Sequence, residues 1–146
     1  MGNKLKTSNI SGIKYSTINP IHNPKGNILH ALKKSDDTFS KFGEAYFTSI
    51  HKSEVKGWKK HKLMIMNLFV PSGEVTFFLH DEVLGITESY KTGEKDYGRL
   101  TVPAGVWVAF RGELEKNLIL NIASIEHDPN ESEDKDISSF SLEESS

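Results

Sequence analysis

The sequence predicts an all-β protein, a sandwich or small barrel of short strands. Two observations carry this. Between Glu44 and Ile122, short runs rich in Val, Ile, Phe, Tyr and Thr recur, separated by turn residues such as Pro71-Ser72-Gly73 and Pro103-Ala104-Gly105. Helix signals are sparse along the whole chain, and no repeat of fixed period is visible.

The elements follow in order. Residues 1–40 mix Gly, Pro, Asn and Ser, and Pro20 and Pro24 break anything long. Within this arm, Ile28 to Leu32 alone has strand or short-helix character, and Lys33 to Asp37 reads as a solvated turn. The pattern changes at Gly43. Glu44 to Ile50 favours a strand, and Val55 to Lys60 is a short polar one. Leu63 to Val70 is nearly continuous in apolar residues, as a strand buried on both faces requires. Val75 to Leu79 follows, closed by His80-Asp81-Glu82. Tyr90 to Gly98 reads as a polar hairpin or loop. Arg99–Val102, Val106–Phe110 and Leu118–Ile122 complete the set.

The bulk numbers bound the rest. The chain of 146 residues suits one domain with a core of its own. Cysteine is absent, which excludes disulfides and thiolate metal sites. A net charge of −2 does not point to nucleic acid, and no apolar run approaches a membrane span. The N-terminus is polar, without an apolar stretch of signal-peptide length. The expectation is a soluble, cytoplasmic protein with neither a nucleic-acid nor a membrane partner. From Glu126 onward the chain is acidic and serine-rich, with Lys135 its one lysine or arginine. Residues 132–146 are therefore expected as a flexible tail, although Ile137, Phe140 and Leu142 are able to clip onto a neighbour. The domain reading is an arm over 1–40 with a possible edge strand, a barrel over 41–131, and this tail.

The segment Val55-Lys56-Gly57-Trp58-Lys59-Lys60-His61-Lys62 is the most informative. By the period of two, Gly57, Lys59 and His61 share one face of the strand, and Trp58, Lys60 and Lys62 the other. Neither face is apolar, so the strand either lies exposed or lines a wet pocket. Two readings stand. In one, Lys59 and His61 are a cation and a base facing a cavity. In the other, Lys52, Lys56, Lys59, Lys60 and Lys62 blunt a solvated edge.

The same segment, together with Gly43 to Thr48, Pro71 to Val75, Val102 to Trp107 and His127-Asp128-Pro129-Asn130, resembles the dTDP-4-dehydrorhamnose 3,5-epimerase branch of the cupins, over about residues 43–131. The resemblance implies a cupin jelly roll, the double-stranded β-helix, forming a homodimer onto which the arm swaps. It implies a pocket for a nucleotide-linked 4-keto sugar and a reaction without metal or other cofactor. In that family a histidine paired with an aspartate removes the proton beside the ketone, and a tyrosine returns one to the opposite face. This sequence departs from the pattern at named places. Lys59 stands where the family's histidine does, with His61 two residues on. Val108 replaces a histidine expected after Gly105, and Glu126-His127 replaces a pair of tyrosines. The remaining histidines, His22, His30, His51, His80 and His127, show no ligand spacing, so no metal site is expected.

The candidates follow from this. His61 is the base. Lys59 and Lys56 are cations for an enolate or a diphosphate. Tyr46, Tyr97 or His127 is the proton donor. Glu44 either orients Lys59 or His61 or is a strand-end charge in water. Arg111, one of only two arginines, either binds a diphosphate or pairs with Glu113 or Glu115. Trp58 and Asn67 complete the substrate-binding set, while the other aromatics are core by default. Two functions remain: a sugar-nucleotide epimerase or isomerase of cell-surface polysaccharide synthesis, or a cupin that binds a sugar or sugar nucleotide without turnover.

Overall fold

A computed structural model describes residues 8–144. Among the described residues, ten strands form two five-stranded antiparallel sheets. Sheet one runs β1 (Lys14–Thr17), β7 (Gly98–Val102), β4 (Met66–Ser72), β9 (Lys116–Ala123), β2 (Glu44–His51). Sheet two runs β10 (Ser132–Asp134), β3 (Val55–His61), β8 (Trp107–Gly112), β5 (Glu74–Asp81), β6 (Ile86–Gly93). The nearly all-β architecture is that of a cupin jelly roll.

Alternation along the strands sorts side chains into an inner and an outer set. Met66, Leu68 and Val70 of β4 point between the sheets, where they join Phe77, Leu79, Leu100, Val102, Val108 and Ile119 in one core. Their neighbours on β4, Asn67 and Phe69, are buried as well, on the outside of sheet one. Phe69 packs against Tyr97, whose hydroxyl donates to the His30 carbonyl at 2.9 Å, and Thr38 bonds Asn67. The segment carrying His30 and Thr38 therefore blankets this face, and the apolar run of β4 is explained by cover on both sides.

A second, smaller cluster lies on the outer face of sheet two. Trp58, Phe78, Trp107 and Ala109 form it, and Ile137, Phe140 and Leu142 roof it. The tail expected to be loose is thus laid down. Ser132–Asp134 pairs with β3 as β10, and Ile137–Ser139 makes a short 3₁₀ turn. Its three apolar side chains cover an aromatic floor that water would otherwise meet, and this offsets the ordering cost its composition suggested.

Three local expectations change. Ile28–Leu32 forms no strand and contributes only a bridge from Ile28 to Ile21. The arm's strand is instead the polar Lys14–Thr17, paired with β7 of the same chain. Of Tyr90 to Gly98, read as a hairpin or loop, Gly98 begins β7 in the other sheet and Tyr90 to Gly93 belongs to β6. There Glu88 and Tyr90 are buried, with Ser8 donating to the Glu88 carboxylate at 2.6 Å and the Asn9 amide at 2.7 Å. A pattern of polar residues hid a strand whose polar groups are answered from elsewhere in the chain.

Candidate functional site

Strand β3 is irregular where it matters. Its register against β8 shifts between Lys56 and Lys59, a bulge centred on Gly57-Trp58. Gly57 has φ of +139°, and a Cβ there would lie 2.6 Å from the Ala109 Cβ. Only glycine fits such a conformation so close to β8. The bulge lets Lys56 reach the same space as Gly57, Lys59 and His61, and sends Trp58 to the outer cluster.

That space is a cavity of about 270 Å³ between the sheets. Its floor is apolar: Met66, Leu68, Phe77, Val108, Phe110 and Ile119. Sheet one supplies Tyr46, Thr48 and Asn121; sheet two supplies Lys56, Lys59, His61 and, from β10, Asp134. The volume is at the small end for ligand pockets, roughly 300 Å³ and upward. It suits a sugar ring, with any larger appendage left at the mouth.

His61 of this wall is paired with a buried carboxylate behind it, Glu131. His61 Nδ1 hydrogen-bonds the Glu131 carboxylate, and both side chains are buried. The second oxygen of Glu131 accepts the amides of Leu63 at 3.0 Å and Met64 at 3.2 Å. Burial pulls the Glu131 pKa upward, but the His61 hydrogen bond and these two amides together hold it below the ordinary carboxyl value. An ionised carboxylate only accepts, so Nδ1 is the nitrogen that carries hydrogen. In the neutral imidazole this tautomer leaves the lone pair on Nε2, the atom a general base uses.

Across the cavity, Asn121 Nδ2 donates to the Tyr46 hydroxyl at 2.9 Å. The Asn121 carbonyl oxygen is buried and has no hydrogen-bond partner among the described residues. An unmatched buried acceptor beside a cavity is suited to a ligand's donor. At the mouth Lys59 Nζ lies 3.4 Å from Asp134, both well exposed, and Lys56 Nζ donates to the Ser49 carbonyl at 3.0 Å.

Comparison with known proteins places this geometry. No protein-family model matches the chain, and no curated protein matches it by sequence. Solved structures do. A dTDP sugar isomerase from Desulfovibrio desulfuricans G20 is 30% identical, with a TM-score of 0.85 over 89% of this chain and 87% of that one. The chain belongs to the dTDP-4-dehydrorhamnose 3,5-epimerase-like (RmlC-like) cupin family. Two more distant structures share the fold. The dTDP-4-dehydrorhamnose 3,5-epimerase of Sulfolobus tokodaii is 18% identical, TM-score 0.82, over 93% of this chain and 84% of that one. A mutant of the 3,4-ketoisomerase QdtA from Thermoanaerobacterium thermosaccharolyticum, in complex with TDP-4-keto-6-deoxyglucose, is also 18% identical, TM-score 0.73, over 85% and 88%.

Of the residues singled out from the sequence of this RmlC-like cupin, His61, Lys59, Lys56 and Tyr46 line the cavity together. The others lie elsewhere. Glu44 does not orient His61 or Lys59; its carboxylate accepts the backbone N–H of His127, which is itself exposed. Trp58 is fully buried in the outer cluster. Asn67 points to the outside of sheet one, where Thr101 and Thr38 donate to its Oδ1 at 2.6 and 3.0 Å. Arg111 is taken by Glu113 at 2.9 Å and by Glu144, with its guanidinium over the Phe78 ring. Tyr97 is buried on the outer side of sheet one, bonded to His30. Val108 lies in the cavity floor.

Sequence reasoning missed Glu131, Asn121 and Asp134. The local sequence shows only how Glu131 is carried, not which residue it meets. Asp128 caps the 3₁₀ turn Pro129–Glu131 through the Asn130 amide at 2.9 Å, and this turn delivers the acid to β3. Among the described residues no group of three or more His, Cys, Asp or Glu side chains could hold a metal ion, and no helix is long and apolar enough to cross a membrane.

Proposed function

We propose that this RmlC-like cupin is a sugar-nucleotide isomerase or epimerase acting on a nucleotide-linked 4-keto sugar, in the synthesis of cell-surface polysaccharide. The observation that carries the reading is His61 on the cavity wall, held from behind by the buried Glu131 carboxylate. The relatives described as a dTDP sugar isomerase and a 3,4-ketoisomerase support the substrate class.

His61 Nε2 takes the proton from the carbon beside the ketone. The C–H electron pair becomes the C=C bond of an enolate, and the carbonyl π pair moves onto oxygen. Lys59, on the same face of β3, neutralises that oxygen. Glu131 stabilises the imidazolium that results, without taking its proton. Tyr46 stands on the facing sheet, and its O–H proton is not committed to any acceptor among the described residues, so it returns a proton from the other side. Asn121 Oδ1 accepts from a sugar hydroxyl. Lys56 at the mouth attracts the diphosphate. The homodimer implied by the resemblance would use edge strand β2 of sheet one, where Phe47 is exposed; light scattering tests it, since the monomer mass alone contradicts it.

The experiment is incubation with TDP-4-keto-6-deoxyglucose in D2O. Deuterium entering the sugar ring supports the reading. A ligand-induced rise in melting temperature without deuterium makes the protein a binder; neither effect with TDP-, UDP-, GDP- or CDP-linked sugars removes the substrate class.

A further inference from the structure

The chain after the barrel wraps the free edge of β3 and returns along its outer side. Its inner end is Glu131, whose carbonyl accepts the Lys62 amide at 2.7 Å and whose carboxylate holds His61. Ser132, Glu133 and Asp134 then pair with His61, Lys60 and Lys59. Trp58 and Lys135 exchange two backbone hydrogen bonds at 3.1 and 3.0 Å, and Trp58 Nε1 donates to the Ile137 carbonyl at 3.1 Å. The outer end is Phe140. Its ring stacks on His80 at 3.8 Å between centroids, and meets Trp58 edge-on at 5.3 Å and Trp107 at 5.9 Å.

From this continuity we infer that Phe140 is a positioning residue for the site on the other side of the sheet: anchored among Trp58, His80 and Trp107, it keeps residues 131–140 on β3 and so keeps the Glu131 carboxylate against His61. Two features support the coupling. Phe140, flanked by Ile137 and Leu142, sits on the outer side of the strand whose inner side carries Lys59 and His61, against Trp58, the residue next to Lys59 in sequence. The polar side-chain contacts at this end include exposed ion pairs, Lys135 with Glu82 at 3.0 Å and Arg111 with Glu144. Pairs of that kind hold little by themselves, which leaves the apolar roof as the fastening; within it Phe140 alone makes ring contacts, with Trp58, His80 and Trp107.

The inference rests on the proposed role of His61, so its test reads the imidazole directly. In the full-length protein, the Nδ1 proton of His61 is followed by proton NMR and assigned by its loss in Glu131→Gln. Phe140→Ala is expected to fold cooperatively with a melting temperature a few degrees lower. It should lose or broaden that resonance, and Phe140→Tyr should restore it. With TDP-4-keto-6-deoxyglucose, kcat should fall about tenfold while KM stays within about twofold, the low end of losing a histidine's outer partner. If Phe140→Ala does not fold, Phe140→Leu takes its place. A Nδ1 resonance in the folded variant that matches the wild type overturns the inference. Absence of turnover in the wild type would remove the proposed reaction but leave the NMR comparison decisive for the strap.

Discussion

Glu131 holds Nδ1 of His61 while being held itself by the amides of Leu63 and Met64. These two amides begin the chain that leaves β3, so the acid, the base and the backbone that orients them close into one unit. The carboxylate thereby sets both the tautomer and the direction of the imidazole.

Replacing the acid should therefore damage turnover more than binding. Glu131→Gln keeps the size of the side chain but removes the charge that stabilises an imidazolium. We expect kcat to drop roughly 10- to 100-fold with KM little changed. Steady-state kinetics on TDP-4-keto-6-deoxyglucose checks this; an equal loss in KM would mean that Glu131 serves binding.

The same pair ties stability to pH. Burial opposes ionisation of Glu131, yet its bonds to His61, Leu63 and Met64 place its folded pKa below the ordinary value of 4.5. The unfolded chain then binds this proton more tightly than the folded one. The carboxylate's contribution is fully present above about 4.5 and is lost as pH falls through the lower folded value. Urea unfolding of wild type and Glu131→Gln at several acidic pH values should show the two curves converging as pH falls.

At the alkaline end three phenols dominate. Burial pushes Tyr15, Tyr90 and Tyr97 up to about 12 from 10.0. The folded state keeps protons that the unfolded chain releases, so stability is full below about 10 and declines as pH rises toward 12. Ultraviolet titration should show these tyrosines ionising only together with loss of folded signal.

Gly57 is the position where sequence and site meet most tightly. Gly57→Ala puts a methyl at φ of +139° and within 2.6 Å of the Ala109 side chain. Strain plus overpacking should cost about 3 kcal/mol. The variant should also lose activity even where it folds, because the bulge sets the facing of Lys56, Lys59 and His61. Denaturant unfolding and the turnover assay together test this.

Much of the fold was legible because its strands obey simple patterns. The run Leu63 to Val70 announced a doubly covered strand, although the strand begins only at Met66 and runs on through Pro71 to Ser72, with Gly73 alone at the turn. The alternation of Gly57, Lys59 and His61 gave the cavity-facing side of β3 once a cavity was granted. What stayed hidden was long-range. Lys14–Thr17 and Tyr90–Gly93 are polar, and their burial depends on partners such as Ser8, Thr92 and Asp96. The tail looked soluble by composition, since Ile137, Phe140 and Leu142 find their cover only on Trp58, Phe78 and Trp107. Glu131 was inconspicuous for the same reason: nothing in a run of acids marks the one that a 3₁₀ turn carries to a histidine 70 positions away.

The most direct test of the account is solvent deuterium exchange catalysed by wild type and by His61→Asn, read by mass spectrometry on TDP-4-keto-6-deoxyglucose. The wild type should wash deuterium into the sugar ring, and the variant should not, although it still binds the ligand. Equal exchange by both proteins, or none by a wild type that binds, would contradict the assignment of His61 as the base.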